Sequence, residues 1–165
     1  MTSHEILGFM SPALSQQLLA DLFTMNKQLY KTALAAAASA RKVRPQFLER
    51  QPRTERDKAI VAVLSRPSLE DVAANLLRGW LIKQHTPMLC DFLDGLGITH
   101  DNGVVESLPD TMEDVKLQST LEALLARYPH EVVAVYLLAF NGMNDTRWAN
   151  LDERLKNDPR LQLGG

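Results

Sequence analysis

The sequence lacks the composition that is typical of disulfide-rich, zinc-binding or disordered proteins. Its 165 residues include one cysteine, which excludes an intramolecular disulfide and any zinc site built from several thiolates. The formal net charge is −2 and hydrophobic residues make up 45% of the chain, which excludes a wholly disordered chain. These shortages leave an ordinary globular protein as the expectation.

Long apolar runs are also missing. The longest uncharged run, from Ile6 to Ala20, is interrupted by Pro12, Gln16 and Gln17, whereas a membrane-spanning helix needs roughly 20 mostly apolar residues. The first ten residues contain Glu5 and lack the basic start of a secretory signal. We therefore expect no membrane span and a cytoplasmic location.

Residues that favour β-structure are scarce. The chain has 10 Val and 4 Ile against 27 Leu and 17 Ala, and this excess of straight-chain helix formers favours an all-α fold. We expect one helical domain over residues 1–165, with about six or seven helices packed as a bundle of helical hairpins.

A long helix is predicted near the N-terminus, from about residue 12 to residue 40. Ser11 and Pro12 are typical of a helix start, and apolar residues then recur at three- and four-residue steps. Six of the nine residues from 32 to 40 are alanine, so another helix can approach this segment closely. Pro45 disfavours helical geometry at Arg44 and ends the pattern.

The segment from residue 41 to residue 58, called the basic segment below, is the best candidate for a binding surface. Seven cations stand there against three acids, whereas residues 86–125 carry eight acids against one lysine. The basic segment can bind phosphate groups or pair with the acidic stretch, within one chain or across a dimer. The low overall charge favours pairing. The candidate binding residues are Arg41, Lys42, Arg44, Arg50, Arg53 and Arg56.

Two helix–proline–helix units are predicted, at residues 68–97 and 111–142. They begin with similar patterns, in which Ser68 or Thr111 precedes acidic residues, as in a helix capping box. Either a duplication or the common chemistry of helix starts explains the similarity. Two units are fewer than the three or more that a repeat array needs.

The remaining parts of the chain are shorter. Residues 98–106 contain Asn102-Gly103, which predicts either a tiny β-hairpin or an ordered loop. A C-terminal helix is expected at about residues 146–156, capped by Asp145, followed by a polar tail.

No catalytic or metal-binding pattern is present in the sequence. The chain contains no His-Glu-x-x-His, and His130-Glu131 is followed by Ala134 where a second histidine would stand. We expect no metal and no cofactor. Cys90 lies among apolar and acidic neighbours, which favours a core position over a reactive thiol. The remaining hypothesis for an enzyme is one that acts on a small molecule in a cleft near His85, Asp91 and Asp94.

The turn at residues 141–148 contains Arg147 and Trp148. Both residue types are frequent anchors at protein interfaces, so they are candidate interface residues. The alternative is a helix stop at Asn141-Gly142 with Trp148 packed on the core, and this alternative is favoured.

These observations predict a non-catalytic interaction or adaptor domain, with homodimerisation included in the hypothesis. Binding of nucleic acid or a phosphate ligand through the basic segment is the alternative. A small-molecule enzyme ranks third.

Overall fold

The protein is all-α in the computed structural model, which describes residues 1–164. Within those residues there are ten α-helices, two short 3-10 helices and no β-strand. The all-α prediction is confirmed, but six or seven helices is too low a number. The chain divides into two compact units, Met1–Trp80 and a second unit from Leu81 onward. No helix among the described residues is long and apolar enough to cross a membrane.

The first unit contains five complete helices and most of a sixth. They are α1 (Ser3–Phe9), α2 (Pro12–Met25), α3 (Lys27–Ala40), α4 (Pro45–Glu49), α5 (Arg53–Leu64) and α6 (Glu70–Gln84). A 3-10 turn at Pro67–Leu69 precedes α6, and the boundary between the units falls within α6.

The prediction of one continuous helix over residues 12–40 is wrong, because the helix is interrupted at Asn26. This residue has φ −144° and ψ 71°, and its side chain accepts a hydrogen bond from the Leu29 backbone N–H at 3.2 Å. Asparagine competes for backbone donors and so favours a cap over a helix interior. One helix therefore becomes two, α2 and α3.

The alanine-rich part of α3 is used inside the first unit. Ala33, Ala37 and Ala38 are fully buried, and α3 packs against α5. Small side chains let two helix backbones approach closely. The close approach expected from the alanines thus takes place between two helices of the same chain.

Glu70 anchors α1, a helix that the sequence analysis missed. The Glu70 carboxylate accepts hydrogen bonds from the backbone N–H groups of Ser3 and His4, at 2.9 and 2.8 Å. Burial acts to raise the pKa of Glu70, but hydrogen bonds from His4 and Ser3 outweigh it and lower the pKa. An acid at a helix N-terminus satisfies free donors and suits the helix dipole.

The second unit contains α7 (Thr86–Gly95), α8 (Asp114–Arg127), α9 (His130–Met143) and α10 (Ala149–Asn157). Its core includes an aromatic cluster in which the Phe140 ring lies 5.1 Å from Phe92 and 5.4 Å from Trp148, centroid to centroid. Such contacts add to the stabilisation from burying apolar area.

Several details of the predicted caps are wrong. Ser68 lies in the 3-10 turn, and α8 begins at Asp114 after Glu113, without a side-chain cap from Thr111. The C-terminal helix begins at Ala149, after Trp148, so Asp145 does not cap it. Acidic residues near a helix start suit its dipole even where no capping box forms. Whether the two helix–proline–helix units arose by duplication stays a prediction.

Residues 98–106 form an ordered loop, one of the two predicted outcomes. Asp101 and Val104 exchange two backbone hydrogen bonds of 2.9 Å, as a single bridge that does not extend into strands. Asn102 and Gly103 both have positive φ, 49° and 87°, as a type I′ turn requires.

Candidate functional site

The basic segment begins at the end of α3 and continues through α4 into α5. Two prolines set its geometry: Pro45 is the first residue of α4 and Pro52 immediately precedes α5. Proline suits these positions because the first N–H groups of a helix have no partner within it. The segment is therefore held in a defined backbone conformation by the elements on either side.

Four of the six predicted binding residues have exposed side chains with no counter-ion. Within the first unit, Arg41, Lys42, Arg44 and Arg50 form no ion pair with another described residue. Arg41 also lines a groove of about 700 Å³ together with Lys58 and Arg66, with Glu55 as its acidic member. This part of the surface has cations in excess.

The other two predicted residues, Arg53 and Arg56, are held by aromatic rings. The Arg53 guanidinium lies 4.7 Å from the centre of the Phe23 ring, and the Arg56 guanidinium lies 5.7 Å from that of Tyr30. Cation–π contacts of this kind orient the guanidinium. Phe23 itself is 40% exposed.

A buried carboxylate lies beneath these arginines. Asp57 on α5 is 3% exposed and accepts a hydrogen bond of 3.0 Å from the Tyr30 hydroxyl on α3. Burial raises the pKa of Asp57, against the opposing effects of the Tyr30 hydrogen bond and the nearby arginines. Burial and the negative charge of Asp57 raise the pKa of Tyr30 to about 12.

The sequence analysis missed Asp57 as a candidate site residue, although a signal for it exists. Asp57 lies three residues before Ile60 and seven before Leu64, both of them buried. It therefore occupies the apolar stripe of α5. A charged residue on such a stripe is seldom buried without a partner, but the partner, Tyr30, is 27 residues away and on another helix.

The residues of the predicted catalytic cleft have separate partners. Asp91 binds the Arg127 guanidinium at 2.8 Å and also accepts from the Tyr128 hydroxyl. Asp94 lies 2.7 Å from His100 Nε2. Neither carboxylate shares its partners with the other, and His85 is the residue before α7.

Cys90 does not have the surroundings of a reactive thiol. It is partly buried and unbridged. Burial raises the pKa of the thiol, and the negative charges of Asp94 and Asp91 raise it further. Reactive cysteines need the opposite shift, because the thiolate is the nucleophile.

A groove of about 830 Å³ in the second unit is lined by the loop between α7 and α8. His100 anchors this loop, since its Nδ1 accepts from the Gly103 backbone N–H at 3.1 Å while Nε2 bonds Asp94. Both ring nitrogens are therefore engaged in holding the loop. His100 has a structural role here and no free nitrogen for chemistry.

Arg147 and Trp148 lie in a tightly bonded turn. Trp148 is 2% exposed, and its indole N–H donates to the Pro109 carbonyl at 2.8 Å. The Asn141 side chain accepts from the Trp148 backbone N–H at 3.0 Å and donates to Asp152 at 2.7 Å. Arg147 also binds Asp152, at 2.8 Å. Trp148 thus lies in the core, as in the favoured alternative.

Among residues 1–164, no three His, Cys, Asp or Glu side chains are grouped so that they could hold a metal ion. Comparison of the chain with models of protein families, with curated proteins and with solved structures finds no match. Any functional proposal therefore rests on the surfaces and sites described above.

Proposed function

We propose that the chain is a non-catalytic, cytoplasmic protein-interaction domain, and that its first unit binds an acidic segment of a partner protein. The observation that carries the proposal is the set of exposed cations without counter-ions: Arg41, Lys42, Arg44 and Arg50. Arginine binds carboxylates in a bidentate geometry. The Asp and Glu side chains of a partner would supply the negative counter-charges that these four cations lack within the first unit.

Exposed aromatic side chains in the same unit suit a protein partner. Phe47, within the basic segment, is 55% exposed, and Phe23 carries the Arg53 guanidinium on its face. Aromatic and arginine side chains are enriched at protein interfaces. The partner segment is therefore expected to combine acidic residues with apolar ones.

The overall charge favours an acidic protein segment over nucleic acid. The sequence pI is about 6.1, whereas nucleic-acid-binding domains are typically strongly basic. A local cluster of cations can bind a short acidic segment without a positive charge on the whole molecule.

The test uses a short fluorescent peptide of alternating glutamate and leucine, titrated with the full chain at low and at physiological salt. We expect binding that weakens with salt, since exposed charge pairs are screened. In the charge-reversed variant Arg44→Glu/Arg50→Glu, affinity should fall by at least about tenfold. The matched control is Lys27→Glu/Lys31→Glu, which reverses two exposed cations outside the basic segment.

Three results would contradict the proposal. Equal loss of affinity in both variants would show a non-specific charge effect. Unchanged affinity in Arg44→Glu/Arg50→Glu would place the binding surface elsewhere. Tighter binding of duplex DNA or RNA than of the peptide, again lost in the Arg44/Arg50 variant, would favour the nucleic-acid hypothesis.

A second copy of this chain is a further candidate for the acidic partner, because Asp101, Glu106, Asp110 and Glu113 form no ion pair with another described residue. A contact between unlike surfaces of two copies is a head-to-tail arrangement. Light scattering across a range of concentrations tests it. A dimer at low salt that dissociates at high salt supports self-association, and a monomer throughout removes it.

A further inference from the structure

A small pocket between α2 and α5 of the first unit contains two opposite charges. Its volume is about 370 Å³, which is within the range of small-ligand sites. From α2 it is lined by Ala13, Gln16 and Ala20, and from α5 by Arg53, Thr54 and Asp57. The pocket is distinct from the groove at Arg41, Lys58 and Arg66.

The carboxylate of Asp57 has hydrogen-bonding capacity that the protein does not use. Its Oδ1 accepts from the Tyr30 hydroxyl at 3.0 Å, whereas its Oδ2 accepts no hydrogen bond from the residues that the structure describes. A carboxylate has about four lone-pair sites. Burying a carboxylate with so few donors is unfavourable, so Asp57 can accept further donors from a ligand.

The guanidinium of Arg53 is the second charge. Its Nε lies 3.7 Å from Asp57 Oδ2, which is longer than a hydrogen bond. The Phe23 ring stacks against the guanidinium at 4.7 Å. Arg53 is thus held next to Asp57 while its donors are not consumed by that carboxylate.

We propose that this pocket binds a small zwitterion whose ammonium and carboxylate are attached to the same carbon atom, as in a free α-amino acid. The ammonium donates to Asp57 Oδ2, and the carboxylate accepts from the Arg53 guanidinium. In an α-amino acid these two groups are separated by roughly 3 Å, similar to the separation of the two protein charges. Gln16 and Thr54 offer further polar contacts at the rim.

The paired charges also determine which ligands are disfavoured. A ligand with only a cation meets Arg53, and a ligand with only an anion meets Asp57. Like charges at such short range oppose binding, most strongly where water is excluded. The site therefore selects ligands that carry both signs. It shares Arg53 with the basic segment, but the variants that test the two proposals differ, so either proposal can fail without the other.

In the experiment, the full chain is titrated with a panel of free amino acids, and binding is measured by backbone-amide NMR and by thermal unfolding. Propionate and ethylamine are the single-charge analogues. We expect at least one amino acid to raise the unfolding temperature and to shift the signals of residues around Asp57. The two analogues should bind at least about tenfold more weakly.

Two variants locate the site. Asp57→Asn removes the charge while keeping the size, and Ala13→Phe fills the pocket while keeping both charges. Each should lower the affinity by at least about tenfold. The matched control is Ala35→Phe, a substitution on an exposed residue of α3. Ala13→Phe keeps the test valid if Asp57→Asn does not fold.

The proposal is overturned by any of three results. The first is that no amino acid of the panel binds at millimolar concentration. The second is that propionate binds as tightly as the amino acids, which would indicate a simple anion site at Arg53. The third is that binding survives in both Asp57→Asn and Ala13→Phe.

Discussion

The two units differ in how some of their polar side chains are partnered. In the second unit, Asn141 uses its amide to tie the Trp148 turn to α9, and Glu122 binds Arg160 through two hydrogen bonds of 3.0 and 2.7 Å. In the first unit, Arg44 and Arg50 have no ionic partner among residues 1–80. The difference indicates where a binding surface lies, because polar groups that are already hydrogen-bonded within the protein are less available to a ligand.

The largest stability effect is expected in the second unit, from Asn141→Ala. Its amide is 1% exposed and bonds both the Trp148 backbone and Asp152. Removing it leaves buried donors and acceptors unpaired, and the free energy of unfolding should fall by about 3 kcal/mol. Urea denaturation measures this fall, with the exposed substitution Gln118→Ala as the control. A loss under about 1 kcal/mol would show that the turn does not depend on Asn141.

The corresponding change in the first unit is Tyr30→Phe, which removes the hydroxyl that Asp57 accepts from. The stability should fall by about 1–2 kcal/mol, because the buried carboxylate loses its hydrogen bond. The same denaturation experiment checks this value. An unchanged stability would mean that water or Arg53 fully replaces the hydroxyl.

The contributions of Asp57 in the first unit and Glu122 in the second unit to the acid dependence of stability should have opposite signs. Folding raises the pKa of Asp57, mainly by burial, so the folded state binds the proton more tightly than the unfolded state. Wild type should therefore gain stability relative to Asp57→Asn as the pH falls from 7 towards 4. This gain is lost as the pH rises through the folded-state pKa of Asp57.

Glu122 in the second unit supplies the opposite case. The hydrogen bonds from Arg160 lower the pKa of Glu122. The stabilisation that the ionised Glu122 provides is therefore present above the ordinary pKa of 4.5, and it is lost as the pH falls through the lowered pKa. Wild type should lose stability relative to Glu122→Gln in strong acid. Thermal unfolding across the pH range compares the two pairs, and slopes of the same sign would refute the contrast.

The smallest effect is expected from removing cations of the basic segment. Arg44→Ala/Arg50→Ala should change the stability by less than about 0.5 kcal/mol, since neither residue has an ionic partner in its unit. Arg160→Ala, in contrast, removes contacts with Glu122 and Asp158 and should lower the stability by more than the Arg44/Arg50 variant does. A larger loss in the Arg44/Arg50 variant than in Arg160→Ala would reverse the comparison.

The same contrast explains what the sequence could predict. The ends of α5 have local signals in the sequence, because Pro52 immediately precedes the helix and Arg66-Pro67 follows it. The break at Asn26 was not predicted, because an asparagine in a sequence is compatible both with a helix cap and with an exposed position inside a continuous helix. The Tyr30–Asp57 bond joins residues 27 apart, and only the packing of α3 against α5 brings them together. Spatial pairing of this kind has no signature in one sequence.

The most direct test of the central claim is a residue-resolved NMR titration of the full chain with the glutamate–leucine peptide at low salt. The account predicts that the shifted amide signals concentrate in residues 41–58 and around Phe23. It also predicts that these shifts disappear in Arg44→Glu/Arg50→Glu and persist in Lys27→Glu/Lys31→Glu. Shifts concentrated beyond residue 80, or unchanged by the Arg44/Arg50 substitutions, would contradict the assignment of binding to the first unit.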